Sequence, residues 1–180
     1  NNGAYPDCFN LYTPNHYPWG CVATSGAQLM RYFEWPKTSV TAKTFSCTTN
    51  GVAVSLKMKG GTYDWANMPL NINTMYASGT STTVTKYRQA IGKLTSDVGI
   101  CCSMNYNTES SGGSGTGGYL LVHALTNHFG YANALAYWKD EDLSGTDALK
   151  NALLSNFDAG LPVLASVRKG DSGHAIVGEI

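Results

Sequence analysis

The sequence predicts an α+β protein in which helices and strands occupy separate parts of the chain. The first helical pattern consists of apolar or small residues that recur close to every 3.6 residues, namely Val22, Gly26, Met30 and Phe33. A second helical pattern covers residues 84–98, and two strand-like segments, 161–167 and 174–180, close the sequence. Because helical patterns come first and strands come last, we expect two segregated parts.

The first half of the chain holds two predicted helices separated by a long irregular stretch. Residues 1–20 carry three prolines and predict an extended, non-repetitive lead-in to a helix that begins at Cys21 and that Pro36 stops. Residues 37–82 are rich in Thr, Ser and Gly without a sustained period, so we expect long loops with short strands. The second helix, which Gly99 is predicted to end, has apolar residues at steps of three and four, namely Val84, Tyr87, Ile91, Leu94 and Val98.

The second half begins with a Gly/Ser/Thr loop over residues 107–118, which cannot bury enough apolar surface to fold alone. Long loops inside compact domains are as often functional lids as simple connectors, and both interpretations stay open here. Four elements are predicted after the loop: a helix over 120–128 that ends before Gly130, a helix capped by Ser144 or Thr146 that Gly160 ends, a strand over 161–167 with Pro162 at its start, and a strand over 174–180.

Length and charge limit the possible functions. A chain of 180 residues is long enough for one compact domain or a tight pair of lobes. Its 12 basic and 12 acidic residues cancel, and no basic cluster exceeds the Arg168-Lys169 pair, so no nucleic-acid partner is expected. Only 13% of residues are charged, a composition common in exported proteins, and no apolar run is long enough to predict a membrane span.

The five cysteines do not predict a metal site. They lack Cys-x-x-Cys spacing, and no histidine falls at a ligand spacing near them, so neither zinc nor another cofactor is expected. An odd total leaves at least one thiol free. The adjacent Cys101 and Cys102 follow an apolar run and are predicted to be buried, inert thiols.

Cys21 is different because it stands at the first turn of a predicted helix. Backbone N–H groups and the helix dipole favour negative charge there, and therefore the thiolate. About 150 residues downstream, His174 follows Ser172-Gly173 on a predicted strand. A thiolate and an imidazole are the nucleophile and base of covalent acyl transfer, and this separation is the one expected of papain-like peptidases.

Plainer interpretations exist for each of these residues. A lone cysteine on an apolar helix is more often part of the core, and His174 on an alternating strand is compatible with a buried structural histidine. His16 is the rival base, but it lies five residues before Cys21 on the same entering loop and is ranked far below His174. His123 is predicted to lie on a helix surface. His128 is predicted to lie in the last turn of a helix, where its charge interacts favourably with the helix dipole.

An ordered set of segments resembles the streptopain family of bacterial papain-like cysteine peptidases. The resemblance covers nearly the whole chain, and it rests on the following segments: Gly20-Cys21-Val22-Ala23-Thr24, Ala27-Gln28-Leu29-Met30-Arg31-Tyr32, Trp35-Pro36, Tyr63-Asp64-Trp65-Ala66-Asn67-Met68-Pro69, Asp97-Val98-Gly99-Ile100, Met104-Asn105-Tyr106, Phe129-Gly130-Tyr131, Leu161-Pro162-Val163 and Gly173-His174-Ala175.

The resemblance implies a single papain-like catalytic domain over residues 1–180, with a helical lobe that carries the nucleophile and a strand-rich lobe that carries the histidine. On this basis Cys21 is the nucleophile and His174 the general base of a secreted bacterial endopeptidase. The family acts on protein or peptide substrates and is made as a zymogen with an inhibitory N-terminal pro-segment. The resemblance places the substrate cleft along residues of two segments: Ser111, Gly112 and Ser114 in the Gly/Ser loop, and Ser172 and Gly173 before the histidine.

Two departures from the family pattern shape the expectations. The family places an oxyanion-hole glutamine upstream of the cysteine, and Asn2, whose amide is one methylene shorter, stands at that position here. The family segment that orients the histidine lies beyond it, whereas this sequence closes at Ile180. We therefore expect the strand-rich lobe to lack its C-terminal strands and a separate C-terminal fragment to complete the fold.

Two other functions fit the same residues. One is a papain-like amidase of another kind, such as a peptidoglycan hydrolase or a transglutaminase. The other is a non-catalytic binding module that keeps the fold, an alternative that the two departures motivate.

Overall fold

The computed structural model describes residues 8–71, 81–137, 146–170 and 172–178, with the backbone alone described at Ser81, Thr146 and Ser172. Short 3₁₀ turns cover Pro14–His16, Trp65–Asn67 and Glu109–Ser111. The helices are α1 (Cys21–Phe33), α2 (Ser81–Cys101), α3 (Gly118–Asn127) and α4 (Thr146–Asp158), and the strands are β1 (Thr44–Thr49), β2 (Val52–Lys57), β3 (Asn105–Tyr106), β4 (Val163–Lys169) and β5 (Ser172–Gly178). No helix in these ranges has the length and apolar character needed to cross a membrane.

The strands form two separate sheets. One has the order β2-β1-β3, with β1 and β2 antiparallel and β3 parallel to β1. The β1–β2 hairpin turns at Asn50 and Gly51, whose φ angles of 48° and 75° suit the two-residue turn that this dipeptide favours. The other sheet is the antiparallel β4–β5 hairpin. The short strands expected within residues 37–82 are confirmed, although their presence means that not all strands come last.

Helix α1 lies at the centre of the molecule. Val22, Gly26 and Met30 are buried as predicted, whereas Phe33 is 39% exposed and contacts the edge of the Tyr131 ring. A Cβ at Gly26 would lie 2.7 Å from Leu121 of α3 and 2.9 Å from Val98 of α2. The missing side chain therefore lets the three helices pack closely around Gly26. The helix ends at Glu34, which takes the left-handed conformation two residues before Pro36.

The prediction that Gly99 ends the second helix is wrong. Helix α2 continues to Cys101, and Ser103 beyond it takes the positive φ of 50°. A Cβ at Gly99 would lie 2.7 Å from the hydroxyl of Tyr106, a fully buried side chain. This glycine therefore serves close packing between α2 and β3 instead of helix termination.

Asp97 is a fully buried carboxyl group on α2. It accepts hydrogen bonds from the backbone N–H groups of Lys59 (2.6 Å) and Gly60 (3.0 Å) and from the hydroxyl of Tyr63 (3.0 Å). Burial raises the pKa of Asp97, and the hydrogen bonds from Lys59 and Tyr63 oppose that rise. The carboxyl group thereby fixes the chain after β2 against α2.

The C-terminal elements match the predicted ones with shifted ends. Helix α4 begins at Thr146, and Gly160 follows it with a φ of 67°. The alternative cap, Ser144, lies outside the described residues. Strand β4 begins one residue after Pro162, and β5 begins at Ser172, two residues before the predicted start.

Candidate active site

Cys21 is the first residue of α1 and is half buried. The first N–H groups of a helix have no partner within the helix, so they point to the space beside this thiol. The residue before it, Gly20, has φ 81° and ψ 146°, a conformation that side-chain-bearing residues rarely adopt. The sequence Gly-Cys thus gives a sharp entry into the helix and places the half-buried Cys21 at its start.

Gly20 also brings the segment that contains Cys21 against the Gly/Ser loop. A Cβ at this position would lie 2.9 Å from the Met104 sulfur and 3.0 Å from the carbonyl oxygen of Ser114. Met104 is fully buried, and the Ser114 contact is to a backbone atom. The chain therefore places the predicted cleft loop next to the start of α1.

The loop itself is held by hydrogen bonds to its own base. Asn105 and Gly115 exchange two backbone hydrogen bonds of 3.0 Å, and Thr116 donates to the carbonyl of Cys102 at 2.7 Å. The Ser114 hydroxyl accepts from the Asn107 N–H at 3.0 Å. It is therefore engaged inside the loop. The part of the loop that faces solvent includes Ser111 and Gly112.

His174 lies on β5, opposite Val167 of β4, and it is exposed. The alternative of a buried structural histidine does not fit this exposure. Its neighbour Ala175 is 5% exposed and belongs to the core beneath α1. The Ser25 hydroxyl donates to the Ala175 carbonyl at 2.9 Å, so the strand that carries the histidine is bonded to the helix that carries the thiol.

The rival base His16 is occupied within its own turn. It is exposed, its Nδ1 lies 3.1 Å from the Asn10 carbonyl, and its own carbonyl accepts from the Asn10 side chain at 2.8 Å. His123 is exposed on α3, as predicted. These positions leave His174 as the histidine on an element bonded to α1.

Three further residues are predicted to line the cleft or to serve the oxyanion, namely Asn2, Ser172 and Gly173. Asn2, the predicted oxyanion donor, lies outside the described residues. Ser172 and Gly173 begin β5, where they pair with Lys169 and Arg168, and Gly173 is exposed.

Comparison with known proteins identifies the family. Residues 4–179 match the Peptidase C10 family. The chain belongs to this family. The resemblance to the streptopain family that the sequence indicated is confirmed.

Named members of the C10 family match most of this chain. The thiol protease/hemagglutinin PrtT of Porphyromonas gingivalis is 29% identical over 88% of the chain, and streptopain of Streptococcus pyogenes is 31% identical over 76%. The chain spans only 17% of the first protein and 33% of the second.

A solved C10 structure confirms the papain-like α+β fold. The active wild-type interpain A cysteine protease of Prevotella intermedia aligns with a TM-score of 0.71 and 26% identity over 88% of this chain and 64% of that one. A prointerpain A fragment from the same organism aligns with a TM-score of 0.66 and 26% identity over 88% of this chain and 48% of the fragment.

The other four thiols of this C10 member are free and buried. Desolvation raises the pKa of Cys8 to about 12, of Cys47 to about 11 and of Cys102 to about 12, and it raises the pKa of Cys101 as well. The burial predicted for Cys101 and Cys102 is confirmed. Within the described ranges, no group of three or more His, Cys, Asp or Glu residues could hold a metal ion.

A separate groove of about 230 Å³ lies between residues 35–43 and 127–130, and neither Cys21 nor His174 lines it. There the Lys43 ammonium lies 3.3 Å from His128 Nδ1. His128 is the C-cap of α3, and burial together with the Lys43 charge lowers its pKa, which favours the neutral imidazole and weakens the interaction with the helix dipole expected of it.

Sequence reasoning missed one residue that bears on the site, Ser25. The signal that could have identified it is a polar side chain on the buried face of a helix, one turn after Cys21. Its partner could not be found in that way, because Ala175 lies 150 residues away in sequence.

Proposed function

We propose that this chain is the catalytic domain of a secreted bacterial cysteine endopeptidase, with Cys21 as nucleophile and His174 as general base. The observation that carries the proposal is the arrangement of α1 and β5. A thiol opens α1, the next turn of the helix is bonded to β5, and the bonded residue of β5 adjoins an exposed histidine. Membership of a peptidase family and similarity to thiol proteases support it.

The chemistry needs both groups. His174 takes the proton of the Cys21 thiol, and the thiolate attacks the carbonyl carbon of the scissile peptide bond. The carbonyl oxygen becomes an oxyanion, and His174 then returns the proton to the leaving amine as the C–N bond breaks. Water, activated by the same imidazole, attacks the thioester and releases the carboxylic acid and the free thiol.

We propose that the oxyanion receives hydrogen bonds from the Cys21 N–H and from the Asn2 side-chain amide. The position of Cys21 at a helix start supports the first donor. The match of Asn2 to the family's glutamine position supports the second. Losing one such donor raises a barrier of this type by roughly 2.7–4 kcal/mol, so Asn2→Ala belongs in the kinetic panel.

A protein or peptide substrate fits the polypeptide around Cys21. The loop that carries Ser111, Gly112 and Ser114 adjoins Gly20 through the Ser114 carbonyl, and Ser172 and Gly173 precede the base on β5. We propose that these segments line the cleft through their backbone groups. The described prointerpain A fragment supports synthesis with an inhibitory pro-segment.

The buried thiols make a selective test possible. Iodoacetamide at pH 6 should label Cys21 rapidly and leave Cys8, Cys47, Cys101 and Cys102 unmodified, because only an activated thiolate reacts at that pH. Peptide mapping by mass spectrometry locates the label. Cys21→Ala should retain the fold and lose hydrolysis of a denatured protein substrate.

Residual hydrolysis by Cys21→Ala above a few percent of the parent would exclude this nucleophile. A folded parent protein that labels no faster than a model thiol would instead indicate a binding module that keeps the fold.

A further inference from the structure

Ser25 makes a buried contact that no step of peptide hydrolysis uses. It is 2% exposed, and its hydroxyl donates to the Ala175 carbonyl at 2.9 Å across 150 residues of sequence. Ser25 lies one helical turn after Cys21, on the same side of α1, and Ala175 is the residue after His174. The bond therefore joins the helix that begins at Cys21 to the strand that carries His174.

The direction of this hydroxyl is informative. Serine and threonine inside helices usually bond back to the carbonyl one turn earlier, and the adjacent Thr24 does so, donating to the Gly20 carbonyl at 3.0 Å. Ser25 instead donates out of the helix to β5. Its hydroxyl thus contributes to the placement of the strand and not to the helix itself.

Within the described residues β5 pairs with one strand, β4, and the segment before β4 is also bonded to α1, because the Tyr32 hydroxyl donates to the Gly160 carbonyl at 2.6 Å. Contact between α1 and β5 itself combines packing of small side chains such as Ala175 with the directional bond from Ser25. Packing of a methyl group allows a strand to slide or rotate. A hydrogen bond to a buried carbonyl opposes such movement, because the carbonyl would lose its donor.

We propose that Ser25 is a positioning residue that fixes the distance and angle between Cys21 and His174. The proposal rests on the proposed function, since it assumes that these two residues form the reacting pair. Ser25 touches neither substrate nor the reacting atoms, and it acts through β5. A displacement near 1 Å in such a pair can reduce rate on the order of a hundredfold.

The test compares Ser25→Ala with a matched control, Ser96→Ala, in the intact protein. Ser96 is also 2% exposed and also donates from a helix to a distant carbonyl, that of Tyr12 at 3.2 Å, but neither partner lies beside His174. Both variants lose one buried hydroxyl and leave one carbonyl without its donor. Ser25→Thr, which keeps a hydroxyl, is the conservative variant.

The readout is the rate of Cys21 alkylation by iodoacetamide from pH 4 to 10, with the unfolding midpoint measured in parallel. We expect Ser25→Ala to slow alkylation at pH 6 by ten- to a hundredfold, on the order expected for misplacement, and to move the profile toward that of an ordinary thiol. In hydrolysis, kcat should fall with little change in KM. Ser96→Ala should lower the unfolding midpoint as much as Ser25→Ala does, but it should keep the parental pH profile of alkylation. Ser25→Thr should restore part of the alkylation rate that Ser25→Ala loses.

Any other outcome would overturn either the positioning role of Ser25 or the proposed function. A parental profile in Ser25→Ala, or an equal loss of alkylation in Ser96→Ala, would overturn the positioning role and leave the proposed function intact. A parent protein whose Cys21 is not reactive at pH 6 would overturn the proposed function, and with it the role of Ser25. The comparison of Ser25→Ala with Ser96→Ala tests the positioning role even if Ser25→Thr does not fold.

Discussion

Replacing Gly20 by alanine tests how the backbone presents Cys21, the proposed nucleophile. Two costs can be worked out from the structure. At φ 81° and ψ 146° a residue with a Cβ is strained by about 1–3 kcal/mol. The new methyl would also lie 2.9 Å from the Met104 sulfur and 3.0 Å from the Ser114 carbonyl oxygen. Overpacking of this kind costs about 1–3 kcal/mol, and we expect partial relaxation to leave a total near 3 kcal/mol.

The assay combines stability with reactivity. Urea unfolding gives the change in the free energy of unfolding, and iodoacetamide labelling at pH 6 reports the state of Cys21. We expect Gly20→Ala to lose about 3 kcal/mol of stability and to slow labelling at least tenfold, because the methyl pushes the start of α1 away from the Gly/Ser loop.

The matched control is Gly51→Ala in the β1–β2 turn. Gly51 also has a positive φ, 75°, but a Cβ there would meet nothing within 4 Å. This variant isolates backbone strain, which costs about 1–2 kcal/mol, and it should label at the parental rate. If Gly20→Ala lost no more stability than Gly51→Ala, or labelled equally fast, the reasoning from the Met104 and Ser114 contacts would be refuted.

Two further predictions concern the base and a buried acid. His174→Ala should reduce hydrolysis at least a hundredfold, the contribution typical of a general base, whereas His16→Ala should keep most of it; the reverse result would transfer the role to His16. Asp97→Asn should lower stability by about 1–3 kcal/mol, because an amide cannot accept all three hydrogen bonds that the carboxyl group receives. Burial raises the folded-state pKa of Asp97, so its contribution to stability is largest below the unfolded pKa and declines as pH rises through the folded one. The loss caused by Asp97→Asn should therefore be greater at pH 4 than at pH 7 in urea unfolding, and a loss that grows with pH would contradict this account.

Local patterns located the helices and most of the buried face of α1. The period of Val22, Gly26 and Met30 located α1, and all three are buried. The Asn50-Gly51 pair is a hairpin signal that would also have located β1 and β2 from the sequence. These features depend on neighbours within a few residues, which is why the sequence contains them.

Gly99 shows where such local reasoning fails. A glycine near the end of a helical pattern usually marks the end of the helix, but here it makes room for the Tyr106 hydroxyl, a contact between α2 and β3. Gly26 and Gly92 likewise face other segments, Leu121 in one case and the Cys8 carbonyl in the other. The sequence cannot distinguish a glycine that bends the chain from one that admits a neighbour.

The candidate site likewise has some features that the sequence determined and others that only the tertiary structure decided. The sequence by itself determined the α+β class, the thiol at a helix start and the resemblance to a peptidase family, because each rests on short segments or on their order. Only the tertiary structure decided which histidine lies on a strand bonded to α1, that Ser25 makes that bond, and that Gly20 adjoins the Gly/Ser loop. The Gly20–Ser114 and Ser25–Ala175 contacts join residues 94 and 150 positions apart, and such contacts arise from packing, which no local pattern encodes.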